Sequence, residues 1–414
     1  MDTLSGTGTA DVVVVGGGTV GAWCAWFLRR AGAGRVVLLE AGRLGQGASS
    51  RAAGMVRAQG GTEAAVRLGI FTRDFYRSQH AELGIDSGLV EQGYFMPAYT
   101  AEEVRVGRSR VAMQQRLGLE VEWMEPEEVE RRNPTLAHGV QLGASFCASD
   151  GYLDPPTNVR CYTAALFIAG VDVRERTAFT GLRVASGRVV GVDTSAGPID
   201  TPRVVLTGGP SLGAVGALAG MRVPAAGVRH QVVVTEPHPE LAPERVPMMF
   251  DVTYGIYWRP EEGGLLWGMS NPDEAPGEAR SFDWDYYARM RERLIVAVPL
   301  TASLGIRKVW AATIEYTPDH LPIIGPGLRA DGPVEGSVVA CAGGHGMMWG
   351  PGVSRAAADL VLTGSTDVVD AGELGLDRFD ETGKSRLAPD PIALPYPDRL
   401  PDPDRLPDPE RTPA

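Results

Sequence analysis

Residues 12–42 read VVVVGGGTVGAWCAWFLRRAGAGRVVLLEAG. The apolar β-branched run Val12 to Val15 predicts a buried strand, and Gly16, Gly18 and Gly21 follow it with the spacing G-x-G-x-x-G. A helical stretch then runs to a stop at Gly32 or Gly34, and a second apolar run, Val36 to Leu39, ends on Glu40. Strand, glycine turn, helix, strand and acid, in this order, suit the gripping of an adenine dinucleotide. The first glycine permits a tight turn, the second lets backbone approach a pyrophosphate, and the third lets helix and strand pack closely. The helix N-terminus offers free N–H groups and a partial positive charge to the phosphates. Glu40 can accept hydrogen bonds from a ribose diol and repels a 2′-phosphate, which argues against NADP.

The rest of the chain bounds what surrounds this unit. Its 414 residues give room for two or three domains. A net charge of −12 disfavours nucleic acid and anionic membrane surfaces as partners. Cys24, Cys147, Cys161 and Cys341 are scattered without metal-ligand spacing, which suits a reducing cytoplasm and predicts no metal site. The start, MDTLSGTGTAD, has neither a basic n-region nor an apolar h-region, and the run at Val12 is too short to span a bilayer. The expectation is a cytoplasmic protein without membrane insertion.

Downstream, residues 101–135 are charged and helical in pattern and read as a solvated face. DGYLDPPTNVRCYTAALFIAG, from Asp150, reads as a turn and a helix stopped by Gly170. Turn signals at Ser186-Gly187 and Ala196-Gly197 mark a small antiparallel meander, followed by a buried strand at Val204 to Leu206. Residues 228–315 carry alternating runs and a helix around Trp284 to Val298, a second, mostly antiparallel sheet. Its aromatics, Tyr254, Tyr257, Trp258, Trp267, Trp284, Tyr286, Tyr287 and Trp310, suit packing as well as a pocket. Near the end, Pro351 and Gly364 bracket a helix over 352–363, and DRLPDP occurs at 398–403 and again at 404–409 in a proline-rich, charged tail.

Three separated segments, GGGTVGAWCAWFLRRAG through LLEAG, the small-residue loop GASSRAAGMV, and YTPDHLPIIG followed by GGHGMMWGPG, carry a resemblance. Together they resemble the FAD-dependent amine and amino-acid oxidoreductases, the family of glycine oxidase, sarcosine oxidase and D-amino-acid oxidase. The resemblance spans roughly residues 10–365 and implies an α/β fold. It places a Rossmann-type FAD-binding domain at 1–88, 150–225 and 316–385. An interleaved, mostly antiparallel α+β substrate domain takes 89–149 and 226–315, and 386–414 is left as a disordered tail. It puts FAD against Gly16, Gly18, Thr19 and Val20 of the turn, and against Glu40, Ala41 and Arg43 after the second strand. The small-residue loop adds Ser49, Ser50, Arg51, Ala53, Gly54 and Met55; the middle of the chain adds Phe179, Gly208 and Gly209. The closing motif adds Gly344, His345, Gly346, Met347 and Met348, where helix N–H groups would face the flavin's pyrimidine edge, which gains negative charge on reduction. Some relatives tether the flavin through a histidine or a cysteine; Arg51 and Ala312 stand nearest those positions, so the FAD is expected to be non-covalent.

The reaction implied is oxidation of an amine C–N bond: hydride passes to flavin, water hydrolyses the imine, and oxygen or another acceptor takes the electrons. A substrate carboxylate needs a cation or several donors. Here the chain departs from its relatives, because Ile314 stands near a carboxylate-binding arginine of glycine-oxidase-like members and Met348 at a lysine of the sarcosine branch. Leu266 likewise stands nearest a lysine that promotes oxygen reactivity. The remaining anchors are Arg57, and Arg259 with Tyr254 and Tyr257; a structural ion pair is the alternative for either arginine. Arg57, Tyr257 and His345 are the catalytic candidates, and Met347, Met348 and Trp349 make the pocket end apolar, with Met348 and Trp349 at the substrate. His345 alternatively bonds backbone, Asp319 reads as a turn brace, and His138, His230 and His320 read as structural.

The function expected is an FAD-dependent oxidase of a secondary amino acid, an N-substituted glycine with an apolar substituent, releasing H2O2. The alternative is a dehydrogenase of proline-like or D-amino acids that uses a quinone or flavoprotein. A flavin-binding protein with a structural or regulatory role is the third reading.

Overall fold

A computed structural model describes residues 8–278 and 281–392. Val12–Val15 is a strand buried on both faces, as a strand inside a parallel sheet must be. It pairs in parallel with Val36–Leu39 on one side and Val204–Leu206 on the other, with Val13 opposite both Val37 and Val204. Gly332–Cys341 and Asp172–Arg174 extend this core in parallel outward. The meander at Phe179–Ala185, Arg188–Thr194 and Ile199–Asp200, the short strand Gly8–Thr9 beside it and the strand Ile323–Arg329 complete a ten-stranded sheet. The turns sit where expected: Ser186 and Gly187 both have positive φ, 50° and 75°. Alternation splits the central strand between two cores. Val12 and Val14 pack under the helices, Val13 and Val15 under the meander.

Eight further strands form a second sheet, running from Ile306–Tyr316 through Ala226–Thr235, Gly264–Met269, Ile256–Glu261 and Met248–Asp251 to Tyr94–Ala98, Gly143–Cys147 and Glu122–Met124. Every pair in it is antiparallel except Met248–Asp251 with Tyr94–Ala98. Three two-residue strands, Met55–Val56, Gly151–Tyr152 and Val90–Glu91, tie the connections between the two sheets. Their placement brings the loop after Met55 against the second sheet.

Three expectations need correction. Residues 101–135 are not one helical stretch. The helix Ala101–Arg116 stops before Gly118, whose φ is +87°; Glu122–Met124 joins the second sheet, and a new helix starts at Pro126. The closing helix spans Gly346–Thr363, starting six residues before 352, so Pro351 lies inside it. Proline cannot donate the next ladder bond there, and the neighbouring Gly352 amide donates to Thr72 Oγ1 at 3.1 Å. Residues 386–392, assigned to the loose tail, are docked: Arg386 N–H donates to the Arg378 carbonyl, and Asp390 and Ile392 are buried. Residues 393–414, with both DRLPDP copies, lie outside the described residues. No helix among the described residues is long and apolar enough to cross a membrane.

Candidate active site

The glycine turn is built as its spacing requires. Gly16 has φ +105°, open only to glycine at low cost, and a Cβ there would sit 2.8 Å from the Thr207 carbonyl oxygen. A Cβ on Gly21 would lie 1.9 Å from the Gly16 carbonyl oxygen, so helix Thr19–Arg30 can lie this close to its strand only with glycine. Gly18 caps that helix without any side-chain bond. Glu40 is held by the Gly17 and Gly42 amides, which donate at 2.8 and 2.7 Å to its two carboxylate oxygens. Ser49 Oγ accepts from Thr19 N–H at 2.9 Å and so pins the small-residue loop over the turn.

From this turn a cavity of about 680 Å³ runs to the second sheet. Its volume lies inside the ordinary range of ligand and cofactor pockets, roughly 300–1,000 Å³. Gly16, Gly18, Thr19, Val20 and Glu40 line it, as do Ser49, Arg51, Ala53, Gly54 and Met55. Thr207, Gly208 and Gly209 close one side; Gly344, His345, Gly346, Met347 and Met348 form another. Consecutive glycines at φ +56° and +86°, Gly343 and Gly344, turn the chain so that helix Gly346–Thr363 opens towards the cavity. That helix also has no side-chain cap, and a Cβ on Gly346 would meet nothing within 4 Å. Two uncapped helix starts and an acid after the second strand fit a long, anionic dinucleotide with a ring that takes up negative charge. Arg51 and Ala312, the residues expected nearest a tether, both line the wall and offer no nucleophile.

Arg57 lies at the far end, 2% exposed. Its guanidinium sits over Phe250 and Tyr94, 5.0 and 5.8 Å from the ring centroids. Its hydrogen-bond partners are the sulfurs of Met96 at 3.2 Å and Met348 at 3.7 Å, and the Ile392 carbonyl at 3.5 Å; Nε has none. No carboxylate pairs with it among the described residues. A buried cation with thioether partners is under-satisfied, and it lines a cavity. Asp150, fully buried, accepts from the Ala58 and Gln59 amides and holds the backbone after Arg57 in place.

Tyr257 reaches the same end. A Cβ on Gly268 would stand 3.0 Å from its hydroxyl, so that glycine clears the way for the phenol to meet His230 Nε2 at 2.6 Å. His230 Nδ1 in turn lies 2.9 Å from Ser270 Oγ. Burial pulls His230 down to about 4. Burial, aided by the Arg57 charge, pulls His345 down to about 3. His345 Nδ1–H must donate to the Gly343 carbonyl at 2.9 Å, which leaves Nε2 as an acceptor.

Both histidines are therefore neutral when folded, whereas an unfolded histidine titrates near about 6.5. Below that pH the unfolded chain binds more protons, so their contribution to stability is present above about 6.5 and is lost on acidification towards 4. The melting temperature is expected to fall from pH 7 to pH 4.5, and less steeply in His230→Gln. Parallel slopes in the two proteins would refute this.

Several expected residues lie elsewhere. Arg259 is not a substrate anchor: it donates to the Ala53 carbonyl at 2.8 Å, pairs with Glu261 at 2.5 Å and stacks 4.4 Å over Tyr152. It braces the small-residue loop from behind. Tyr254 turns away in the hairpin beyond Asp251 and packs edge-on against Tyr99. Trp349, in the first turn of the closing helix, is buried in the core, 4.3 Å from the His345 ring. Phe179 is in the core beneath the meander, Ala41 and Arg43 are exposed, and neither they nor Ser50 line the cavity. Of the aromatic cluster only Tyr257 does. His230, read from sequence as structural, belongs to the site. Tyr94, Phe250 and Glu315 were also missed. Glu315 accepts from the Ala342 amide at 2.9 Å, and burial pushes its carboxyl above the usual range. Asp319 is the expected brace: Arg378 grips it at 2.7 and 3.0 Å, both side chains fully buried.

Comparison with known proteins agrees with this geometry. The family model of FAD dependent oxidoreductases matches residues 11–360. Mitochondrial sarcosine dehydrogenase of Mus musculus is 29% identical over 86% of this chain and 40% of its own length. The 4-methylaminobutanoate oxidase (formaldehyde-forming) of Paenarthrobacter nicotinovorans is 29% identical over 89% of this chain and 45% of its own. The chain thus spans less than half the length of these relatives. Sarcosine oxidase subunit beta of Rhodobacter capsulatus is 28% identical, with 90% and 89% of the two chains covered. Among solved structures, an L-proline dehydrogenase from P. horikoshii aligns with a TM-score of 0.81 at 25% identity, covering 89% of this chain and 97% of that one. Glycine oxidase from Geobacillus kaustophilus gives 0.77 at 26% identity, covering 90% and 100%.

Proposed function

Because the chain belongs to the family of FAD-dependent oxidoreductases and FAD is its cofactor, we propose that it oxidises the C–N bond of an N-methyl or other N-alkyl amino acid. The observation that carries this reading is Arg57, a buried guanidinium facing the cavity with sulfur and one distant carbonyl as its partners. A substrate carboxylate supplies what it lacks, two charge-assisted acceptors in a plane. Met348 stands where the sarcosine branch carries a lysine and touches the guanidinium instead, so one cation holds the carboxylate. Names of relatives support the N-methyl class: sarcosine dehydrogenase, 4-methylaminobutanoate oxidase and dimethylglycine dehydrogenase.

Bound FAD supplies the hydride acceptor. The chain's own residues prepare the donor. Arg57 fixes the carboxylate end, and Phe250, Tyr94 and Met348 give the substrate an apolar bed and keep water out. The amine must be neutral for hydride to leave. In the tautomer with His230 Nε2 unprotonated, the Tyr257 hydroxyl donates to Nε2 and turns its lone pairs to the cavity, where a substrate ammonium can donate. Non-covalent FAD follows from the side chains at 51 and 312 and is tested by release of the flavin on denaturation.

Anaerobic mixing with N-methyl amino acids is expected to bleach the flavin, with carboxyl-free secondary amines at least 100-fold less effective, on the scale of a charge-assisted pair. Equal bleaching by both classes, or none with any amine, would overturn the proposal. A second reading sends the electrons to a quinone or flavoprotein in place of oxygen. Neither Lys308 nor Lys384 lines the cavity, so no lysine there stabilises the charge that develops on oxygen. Peroxide release under air separates the two acceptors.

A further inference from the structure

The docked segment after Arg378 reaches the substrate end of the cavity at Arg57. Asp390 N–H donates to the carbonyl of Asp319, the residue that Arg378 clamps. Asp390 Oδ1 accepts from Ile392 N–H at 3.0 Å and so closes a tight turn, and Gly61 leaves the space for it: a Cβ there would lie 2.0 Å from that same oxygen. The turn sets the Ile392 side chain into the core that also holds Met96, Tyr94, Phe250 and Tyr257. It aims the Ile392 carbonyl at Arg57 Nη2, 3.5 Å away, the one oxygen partner of that guanidinium among the described residues. The Asp390 carboxylate itself faces the charges of Arg57 and Arg110 without forming an ion pair with either.

We propose that the C-terminal turn Asp390–Ile392 is a positioning element of the substrate site, with Asp390 the positioning residue that directs Arg57 at the substrate carboxylate. This rests on the reading of Arg57 as the carboxylate anchor. A guanidinium over aromatic rings and between thioethers has little to fix its direction, because sulfur is a weak and undirected acceptor. The Ile392 carbonyl fixes one edge and leaves the other for the ligand. Asp390 holds that carbonyl in place through the turn. Its carboxyl forms no ion pair with Arg57 and does not occupy the edge that the substrate needs.

The test uses the full-length holoenzyme and propanoate as an unreactive carboxylate, with binding read from the visible spectrum of the bound flavin. Asp390→Ala and Ile392→Ala are each expected to weaken propanoate about tenfold or more, the scale of one misdirected charge-assisted hydrogen bond. FAD content should be unchanged, whereas a general loss of structure would lower it. Asp390→Asn keeps the turn's acceptor and is expected to bind propanoate as well as the parent, within about threefold. Parent-like propanoate binding in both alanine variants overturns the inference; if Asp390→Ala does not fold, Ile392→Ala decides alone. Arg57→Met separates the two readings. If it too binds propanoate like the parent, the anchor assignment fails and the inference with it. If it loses propanoate while the alanine variants keep it, the turn's role alone fails.

Discussion

Arg57→Met is expected to lower kcat/KM for a carboxylated secondary amine by about 10³-fold, since removing one partner of a buried ion pair costs roughly 3–5 kcal/mol. FAD content should not change, because Arg57 lies at the substrate end of the cavity, away from the glycine turn. Stability should hold or rise. The guanidinium is buried with Nε unpartnered and two sulfurs and one carbonyl at 3.5 Å as its acceptors, so the free protein bears its desolvation without full recompense. Methionine has a similar length, gives up one long hydrogen bond, to the Ile392 carbonyl, and suits a bed of Met96, Met348, Phe250 and Tyr94. Replacing buried charge by apolar volume is often neutral or stabilising by about 1–4 kcal/mol. Stopped-flow flavin reduction and thermal melting of the same preparation measure both effects. Activity within tenfold of the parent would remove Arg57 from the site, and a large fall in melting temperature would show it to be a structural cation.

Gly21→Ala is expected to yield protein that lacks flavin and is destabilised by several kcal/mol. The new Cβ would stand 1.9 Å from the Gly16 carbonyl oxygen and 2.5 Å from Thr207 Oγ1. Neither can yield cheaply. The first is backbone in a turn at φ +105°, and Thr207 Oγ1 donates to the Val15 carbonyl at 2.7 Å. Overpacking of this kind costs about 1–3 kcal/mol even where side chains can adjust, and more where backbone must move. The helix start would be pushed off the strand and the phosphate-binding N–H groups with it. Gly18→Ala is the control, because its Cβ would meet only Ser49 Oγ at 3.2 Å, so the fold should survive there while flavin affinity falls. Flavin absorbance of the purified proteins and urea melts distinguish the two. A flavin-replete, stable Gly21→Ala protein would contradict the close packing.

The sequence reads well where a feature depends on neighbours along the chain. Gly16 to Glu40, the turns at Ser186-Gly187 and Ala196-Gly197 and the stop at Gly364 are local chemistry: a positive φ, a run of apolar residues. The closing motif is legible too, apart from the start of its helix, because a proline suits a first helical turn and Pro351 falls after it. The site was legible only in part. Arg57 was selected, but nothing near it in sequence separates it from Arg259, and the structure gives the two opposite fates: one bare in a cavity, the other spent on Glu261 and the Ala53 carbonyl. His230 carries no local mark. Its partner Tyr257 is two strands away, and the contact exists because Gly268 between them has no side chain.

By itself the sequence determined that this chain holds an adenine dinucleotide and, through its second glycine-rich motif, which kind. Those elements are set by backbone dihedrals and short spacings that hold in any surroundings. Only the tertiary structure decided what the other end of the cavity offers. Arg57, Tyr257, His230 and Ile392 come from segments up to 335 positions apart. Their meeting depends on strand register, where a shift of one residue turns a side chain from the cavity to the opposite face.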